Sequence, residues 1–299
     1  MQVIVLGSAA GGGVPQWNCR CPVCRLAWMG DGRVLPRTQS SLAVSANGES
    51  WVLLNASPDI RQQIAATPRL QPRCEGRDSP IAAVILTNGD VDHVAGLLGL
   101  RERQNFVLYA TAETLAVLSR NRVFDVLDRN VVRREPVRLG HRFDVLPGLA
   151  VELFSVPGKV PLWLEETTAN IHRDAETTVG AVLTTRDRRT VHVPGCAAPN
   201  PTLRRHAEGA DLLFFDGTLW RDDEMIRSGV GGKTGRRMGH MSMSGERGSI
   251  ATFAGMPIGR RVFIHMNNTN PALIEGSAER AEVESAGWGV AHDGMEFAL

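Results

Sequence analysis

The amino-acid sequence predicts a mixed α/β fold in which helices cover β-sheets. Short runs rich in apolar and β-branched residues recur along the chain, and several of them end in polar or glycine- and proline-containing turns. Patterns with helical periodicity lie between some of these runs, as expected when helices pack on sheets. The 299 residues contain no internal repeat and no linker-like tract, so we expect a single domain spanning residues 1–299.

Ten segments have the composition of strands, and we expect them at 3–6, 41–45, 51–55, 82–86, 106–109, 150–156, 178–184, 190–193, 212–215 and 262–265. Four segments have helical periodicity: 58–66, with Ser57 as its N-cap, and 111–119, 201–208 and 244–253. Three long stretches, 7–38, 157–177 and 218–243, show no periodicity. Long loops in compact domains are usually functional, so we expect a site to be built from them.

Composition excludes several classes of partner. The 33 Lys and Arg residues nearly balance the 32 Asp and Glu residues, which gives no electrostatic basis for binding nucleic acid or an anionic membrane. No apolar run approaches the roughly 20 residues that span a bilayer. The N-terminus lacks a basic segment, and its apolar run at 3–6 is too short for a secretion signal. We therefore expect a cytoplasmic protein, with a homodimer left open as its assembly.

The first predicted strand is followed by the glycine-rich stretch LGSAAGGG, residues 6–13. Such a stretch can form a dinucleotide-binding loop, but these glycines do not fit the G-x-G-x-x-G spacing, and no acidic residue closes a second strand at a suitable distance. We interpret them instead as positions where the backbone passes close to a site and only glycine fits.

Three of the five cysteines, Cys19, Cys21 and Cys24, lie within six residues in the stretch CRCPVC. An odd number of cysteines makes a poor disulfide framework and fits a reducing compartment. Three thiolates at this spacing can bind one Zn²⁺, which prefers four tetrahedral ligands. We expect a structural zinc loop at about 15–30; the alternative is three free thiols in a surface loop.

The stretch ILTNGDVDHVAGL, residues 85–97, places Asp90, Asp92 and His93 directly after a buried strand. Burying such groups without partners costs several kcal/mol, so a metal ion is the expected partner. Other polar residues follow strand ends or lie between glycines, and strand ends gather at one edge of a layered fold. We expect five residues to converge there, although each alone could be structural: Asp92, His93, Asp216, His240 and His265.

The stretch TNGDVDHVAG resembles the signature T-H-x-H-x-D-H-x-x-G of the metallo-β-lactamase superfamily, with Thr87, Asp92, His93 and Gly96 retained. Further stretches resemble one branch of that superfamily, linked to synthesis of the cofactor pyrroloquinoline quinone (PQQ): GSAAGGGVPQWNCRCPVC, NASPDI, VPGKVPLWLE, PGCAAPN, FFDGTLW, GHMSMSG and IHMNNTNP. The resemblance extends from residue 7 to residue 270. It implies an α/β fold of the αββα sandwich type, with the site at one edge of two sheets.

The chain also departs from the superfamily pattern. Asn88 and Asp90 stand where the first two metal-binding histidines belong, the third falls near Pro157, and the bridging aspartate falls near Cys196. These losses argue against the dinuclear centre and the shared hydroxide of the superfamily's hydrolases. The metal ligands that remain are Asp92, His93 and His265.

Two histidines and one carboxylate are the ligand types of non-haem Fe(II) oxygenases, which keep positions open for O₂ and substrate. The resemblance implies the same chemistry: iron-dependent hydroxylation of tyrosine in a peptide or dipeptide precursor of PQQ. Asp90 is either a further ligand or orients one. Asp216 and His240 are similar to positions with acid–base roles in RNA-processing and phosphodiesterase members of the superfamily.

The resemblance also bears on the zinc loop. A related phosphodiesterase group adds to the three cysteines a histidine that lies three residues after the last metal histidine. Asn268 has that position here, and Asn267 or water are alternatives for the fourth ligand. Arginine binds carboxylates bidentately, so we expect basic residues before His240 to bind an anionic substrate, the alternative being a solvated basic loop: Lys233, Arg236 and Arg237.

Three functions follow from these observations. The first is an oxygenase that acts on a tyrosine-containing precursor of PQQ. The second is a carrier or transport factor for PQQ or its precursor, against which retention of an open metal site argues weakly. The third is a metallohydrolase of the ordinary superfamily type, against which the loss of the dinuclear ligands argues.

Overall fold

Two seven-stranded sheets pack face to face, with helices on their outer faces, in a computed structural model that describes residues 1–159 and 174–299. This αββα sandwich confirms the expected fold. Most of the aperiodic stretch at 157–177 lies outside the described residues, as does most of the stretch VPGKVPLWLE. No helix among the described residues is long and apolar enough to span a bilayer.

The first sheet has the strand order β14-β1-β2-β3-β4-β5-β6. Its first half is antiparallel, whereas β3, β4, β5 and β6 run parallel to one another. Its strands are β1 (Gln2–Gly7), β2 (Ser41–Ser45), β3 (Trp51–Leu54), β4 (Ile81–Ile85), β5 (Phe106–Ala110), β6 (Val132–Pro136) and β14 (Glu296–Ala298).

The second sheet has the order β13-β12-β11-β10-β9-β8-β7. The strands from β10 to β13 are parallel, and those from β7 to β10 are antiparallel. Its strands are β7 (Arg142–Leu146), β8 (Leu149–Pro157), β9 (Asp174–Thr184), β10 (Arg189–Val193), β11 (Leu212–Asp216), β12 (Arg260–Ile264) and β13 (Trp288–Val290).

The described helices are short, and most of them follow strands of the parallel parts. The α-helices are α1 (Pro22–Trp28), α2 (Ile60–Ala66), α3 (Val91–Val94), α4 (Ala112–Arg120), α5 (Pro201–Ala207), α6 (Glu224–Arg227), α7 (Gly235–Met238), α8 (Ser249–Thr252) and α9 (Ala278–Ser285). Turns of 3₁₀ helix occur at Pro68–Leu70, Ala95–Leu100, Arg122–Val126 and Pro271–Leu273.

Three apolar layers hold the sandwich together. Because side chains alternate along a strand, Val3 and Val5 of β1 face the layer between the sheets, whereas Ile4 and Leu6 face the helices outside the first sheet. The third layer joins the outer face of the second sheet to α1, α5 and α9. Strands that are buried on both faces explain the nearly continuous apolar runs in the sequence.

All ten expected strands are present, and the four strands that sequence reasoning missed are β6, β7, β13 and β14. These four are the outer strands of the two sheets. Among the expected helices, the segment at 58–66 begins later, at Ile60, with Asp59 rather than Ser57 as its N-cap. The helix expected at 244–253 is confined to α8.

Gly96 allows the helical turn that carries the DVDHVAG residues to pack on the corner after β3. Its amide donates to the Ala56 carbonyl at 2.9 Å, and the Ala56 amide donates to the His93 carbonyl at 2.8 Å. A Cβ atom at residue 96 would lie 2.0 Å from the Ser57 carbonyl oxygen, which is backbone and cannot swing away. Glycine at this position therefore holds His93 against the first sheet.

We predict that Gly96→Ala lowers the free energy of unfolding by about 2–3 kcal/mol, because the added methyl group forces the corner after β3 to shift. Chemical denaturation monitored by circular dichroism measures the change. Gly32→Ala is the matched control, since a Cβ atom at residue 32 meets no atom within 4 Å. Equal stability of the two variants would contradict this account.

Candidate metal centre

The ends of β4, β11 and β12 open into one cavity of about 370 Å³ at the edge of the sandwich. The segment after β4 supplies Asp90, Asp92 and His93, and His265 directly follows β12. The glycine-rich loop also reaches the cavity, where Gly11 lies against the Asp92 carboxylate: a Cβ atom at residue 11 would be 3.6 Å from it. This placement agrees with the expected close approach of the backbone.

Asp92, His93 and His265 come together as the sequence predicts. The His265 Nε2 atom lies 3.0 Å from Asp92 Oδ2, and His93 Nε2 lies 3.8 Å from the same oxygen. One ligand atom from each of the three residues lies within 4.8 Å of the others. Atoms bonded to one ion at about 2.1 Å lie about 3.0–3.4 Å apart, so small closing movements would complete a three-ligand site.

The electrostatics of the three residues favour an ion between them. Burial lowers the pKa of His93 to about 4, so its ring is neutral and can bind a metal. Burial alone would raise the pKa of the Asp92 carboxyl, but His93 and His265 hold it below its usual range. Burial also opposes protonation of His265, yet its hydrogen bond to Asp92 raises its pKa. A metal ion can replace the proton shared by that pair.

His93 gives the strongest evidence that these residues are suited to a metal ion. Its side chain is 1% exposed, and its Nε2 atom has no hydrogen-bond partner among the described residues. A buried polar atom without a partner costs about 1–3 kcal/mol, and in native structures such an atom commonly pairs with an ordered water or an ion or has a catalytic role. A metal ion held by Asp92 and His265 would provide the missing partner.

Asp216 and His240 form a hydrogen-bonded pair, and together with His265 they are a second group that could hold an ion. His240 Nδ1 lies 2.8 Å from Asp216 Oδ2, which also accepts from the Cys196 amide at 2.9 Å. Asp216 Oδ1 accepts from the amide and the hydroxyl of Thr218. Both carboxylate oxygens are thus occupied, although Asp216, His240 and His265 lie close enough to hold an ion. The ring of His240 lines the cavity.

Thr218 and Thr87 orient the two metal-binding histidines. Thr218 Oγ1 lies 2.6 Å from Asp216 Oδ1 and 2.9 Å from His265 Nδ1. The hydroxyl donates its one proton to the carboxylate and accepts from His265 Nδ1, which leaves His265 Nε2 for the metal. Thr87 Oγ1 lies 3.4 Å from His93 Nδ1 on the other side. The two contacts therefore direct the Nε2 atoms of His93 and His265 towards the same position in the cavity.

Backbone geometry also sets the direction of His265. Its φ angle is +59°, in the left-handed region that residues other than glycine rarely adopt. Such a conformation costs about 1–3 kcal/mol and persists only where its surroundings fix it. The surroundings here are the partners of the two amides that follow His265: Met266 donates to the Ser8 carbonyl, and Asn267 donates to the Thr218 carbonyl.

The residues that replace the superfamily's other ligands have structural contacts. Asn88 Oδ1 accepts from the Asp90 amide at 2.9 Å, and Cys196 Sγ lies 3.1 Å from the Ala198 carbonyl. Pro157 ends β8. Asp90 is half-buried, lines the cavity and raises the pKa of His265 through its charge. Whether Asp90 is a ligand or orients one stays open.

The three cysteines converge as expected. Cys21 is the N-cap of α1, and the thiols of Cys19, Cys21 and Cys24 are buried and close enough to hold one ion. The Asn268 side-chain amide lies over them, with its nitrogen 3.1 Å, 3.7 Å and 3.3 Å from the three sulfurs in that order. A half-turn of the amide presents its oxygen to the same point. Asn268 as the fourth zinc ligand stays a prediction.

The expected substrate-binding residues do not all reach the cavity. Lys233 lines it, whereas Arg236 lines a neighbouring cavity and uses its amide to bond Asp222. The Arg237 amide lies 3.3 Å from Thr234 Oγ1, at the start of α7. The short helix α7 thus places Arg236 at the neighbouring cavity, which the linear stretch KTGRRMGH does not reveal.

Sequence reasoning missed several polar residues near the site. Thr218 could have been found in the stretch FFDGT, two residues after Asp216. Lys159 could have been found in the stretch VPGKVPLWLE, because it is one of only two lysines in the sequence. Glu224 is buried, its carboxylate accepts from Thr269 beside Asn268, and burial raises its pKa to about 7. His192 is buried in β10, and neither of its ring nitrogens has a hydrogen-bond partner among the described residues.

Comparison with known proteins agrees with this geometry. A family model described as a β-lactamase superfamily domain matches residues 50–266. The chain is 62% identical to coenzyme PQQ synthesis protein B of Methylorubrum extorquens (strain PA1) over 299 residues, with all of both chains covered. It is 51% identical to the protein of that name from Xanthomonas oryzae pv. oryzae, again with both chains covered.

The chain belongs to the coenzyme PQQ synthesis protein B family of the β-lactamase superfamily. A crystal structure of a Zn²⁺-bound member of this family from Methylobacterium extorquens superposes with a TM-score of 0.99 at 62% identity, and the match covers all of both chains. The chain thus has the αββα sandwich fold of the metallo-β-lactamase superfamily.

We predict that the cysteine site holds zinc and supports folding, because structural zinc can contribute on the order of 10 kcal/mol of apparent binding free energy. Cys21→Ser should lower the melting temperature and release one equivalent of metal. Cys74→Ser is the matched control, since Cys74 is exposed and lies outside the cluster. Unchanged zinc content in Cys21→Ser would rule the site out.

We also predict that Thr218→Val weakens metal binding at the Asp92, His93 and His265 site by about 10–100-fold, because His265 loses the acceptor that fixes its tautomer. Thr218→Ser, which keeps the hydroxyl, should bind nearly as tightly as the unaltered protein. Titration with Co²⁺ measures both, since a thiolate-to-cobalt absorption band reports the cysteine site separately. Equal affinity of the valine and serine variants would contradict the orienting role.

Proposed function

We propose that this chain acts in the synthesis of PQQ as an iron-dependent oxygenase that hydroxylates the tyrosine of a peptide or dipeptide precursor. The names of its relatives support the pathway. The reaction type rests mainly on one observation: two histidines and one carboxylate, Asp92, His93 and His265, are close enough to hold an ion, and several ligands of the superfamily's dinuclear centre are replaced. This is the ligand set of non-haem Fe(II) oxygenases.

In this proposal, three residues of the chain bind the iron and two others act as the base and its counter-ion. Asp92, His93 and His265 hold the iron, which when bound supplies the chemistry that activates O₂. The ring of His240 lines the cavity and hydrogen-bonds Asp216 through Nδ1, so its Nε2 atom is available to accept a proton from the phenol. The Asp216 carboxylate stabilises the imidazolium that forms.

The surroundings of Asp216 support this role as a fixed anion. Four donors fill its two oxygens, and it is fully buried. Burial by itself would raise the pKa of the carboxyl, but His240 and the hydroxyl of Thr218 hold the pKa below its usual range. Asp216 therefore stays ionised while His240 exchanges a proton, which is the arrangement that acid–base catalysis by histidine requires.

We predict that Fe(II)-loaded protein consumes O₂ when a tyrosyl dipeptide is added, and that Zn(II)-loaded protein does not, because Zn²⁺ has no redox chemistry. His93→Ala and His265→Ala should abolish the reaction, since each removes a ligand. Asp90→Ala should be as damaging only if Asp90 is a ligand. Oxygen uptake and product mass, measured for both metals with and without O₂, provide the test.

His141→Ala is the control, because His141 is exposed on another part of the surface. Turnover by the zinc form without oxygen would contradict the oxygenase and favour a hydrolase. Binding of PQQ or the dipeptide without turnover under every condition would favour a carrier instead.

A further inference from the structure

The chain uses arginine for nearly every positive charge. Of its 33 Lys and Arg residues, only two are lysines, Lys159 and Lys233. The two are far apart in sequence, yet both line the cavity that contains Asp92, His93 and His265. A random placement of two lysines would seldom put both among the residues of one small cavity. Their position therefore indicates a task that arginine does not perform.

Packing around Lys159 shows that its position is built into the fold. Gly239, with a φ angle of +86°, ends α7, and a Cβ atom there would lie 3.0 Å from Lys159 Cγ. A Cβ atom at residue 158 would lie still closer, 2.4 Å from the hydroxyl oxygen of Thr178, and this hydroxyl donates to the Lys159 carbonyl at 3.0 Å. Glycines at these two positions let the lysine side chain and backbone lie against α7 and β9.

Lys233 approaches the cavity from the other end of the same helix. It lies two residues before α7, whose N-cap, Thr234, accepts from the Arg237 amide. Lys233 thus lies near the first residue of the four-residue helix α7, whereas Lys159 packs against Gly239, directly after its last residue. His240, the proposed base, follows Gly239 directly, so the two lysines flank the part of the cavity where a substrate would meet the base.

The charges in the cavity indicate which class of ligand the two lysines would bind. The cavity also contains the carboxylates of Asp90 and Asp92, which the two ammonium groups balance. A divalent ion on Asp92, His93 and His265 then leaves an excess of positive charge, which an anionic ligand would neutralise. An ammonium group is a compact point charge, whereas guanidinium is a larger planar fork suited to bidentate pairing. A small cavity beside a metal favours the compact group.

We propose that Lys159 and Lys233 form a pair that binds an anionic oxygen of the substrate, a phenolate or a carboxylate, beside the metal. The choice of substrate rests on the proposed function, but the binding role does not require turnover. Lysine at both positions would determine how far the anionic oxygen enters the cavity. Arginine would fill the space that the ligand needs, so it should not substitute for lysine.

Calorimetric titration of the zinc-loaded, full-length protein with glutamyl-tyrosine tests the proposal without oxygen or iron. We expect Lys159→Met and Lys233→Met to raise the dissociation constant at least tenfold, and Lys159→Arg and Lys233→Arg to raise it as well. Arg247→Met is the control, because Arg247 lines only the neighbouring cavity and should change affinity less than twofold. Zinc content should remain unchanged in every variant.

Two further ligands identify the oxygen that is bound. If the pair binds a phenolate, the lysine variants should lose no affinity for glutamyl-phenylalanine; if it binds the terminal carboxylate, they should lose none for glutamyl-tyrosine amide. Either pattern supports the proposal. It would be overturned if the unaltered protein binds none of these ligands, or if the methionine variants bind them as tightly as the unaltered protein. Iron-dependent oxygen uptake with an unchanged KM in the methionine variants would likewise overturn the lysine pair while leaving the oxygenase in place.

Discussion

Burial of Asp92, His93 and His265 at one point is the constraint on which the rest of the site depends. A carboxylate and two imidazoles that are largely buried need partners, and the Nε2 atom of His93 has none among the described residues. Much of the nearby structure restrains these three side chains: Gly96 fixes the turn that carries His93, and Thr218 fixes the ring of His265. The site is thus prepared for an ion before one binds.

The two candidate metal sites are mechanically linked through one short segment. His265 and Asn268 are three residues apart, so the chain that leaves β12 contributes first to the cavity and then to the cysteine cluster. The loop that carries the cysteines begins at the glycine-rich stretch, where the Ala10 amide donates to the Met266 carbonyl. Zinc at the cysteines would therefore hold both sides of the strained backbone at His265, which would explain why the expected zinc site lies so close to the candidate active site.

The parts of the fold that the sequence predicts are those under the strongest physical constraint. Strands buried on both faces must be apolar throughout, so all ten of them could be read from composition. The outer strands β6 and β7 are exposed along one edge and tolerate charges, as in VRREP and RFDVL, and their pattern is indistinguishable from that of a loop. The metal ligands were identified because each follows a predictable strand or turn. Lys159 and Thr218 were not, because their roles depend on neighbours that only folding supplies.

The loss of some superfamily ligands and the retention of others argue for a change of chemistry rather than a loss of activity. A protein that needed only its fold would have no reason to keep Asp216 fully buried with four donors around it, because burying a charge is costly unless every contact is used. What that arrangement maintains is a histidine, His240, held in one orientation at the wall of the metal cavity. A metal held by Asp92, His93 and His265 beside an oriented base would suit a reaction in which a phenolic proton is removed while oxygen is activated. The replaced ligands argue against the pair of ions with which the superfamily's hydrolases generate their nucleophile.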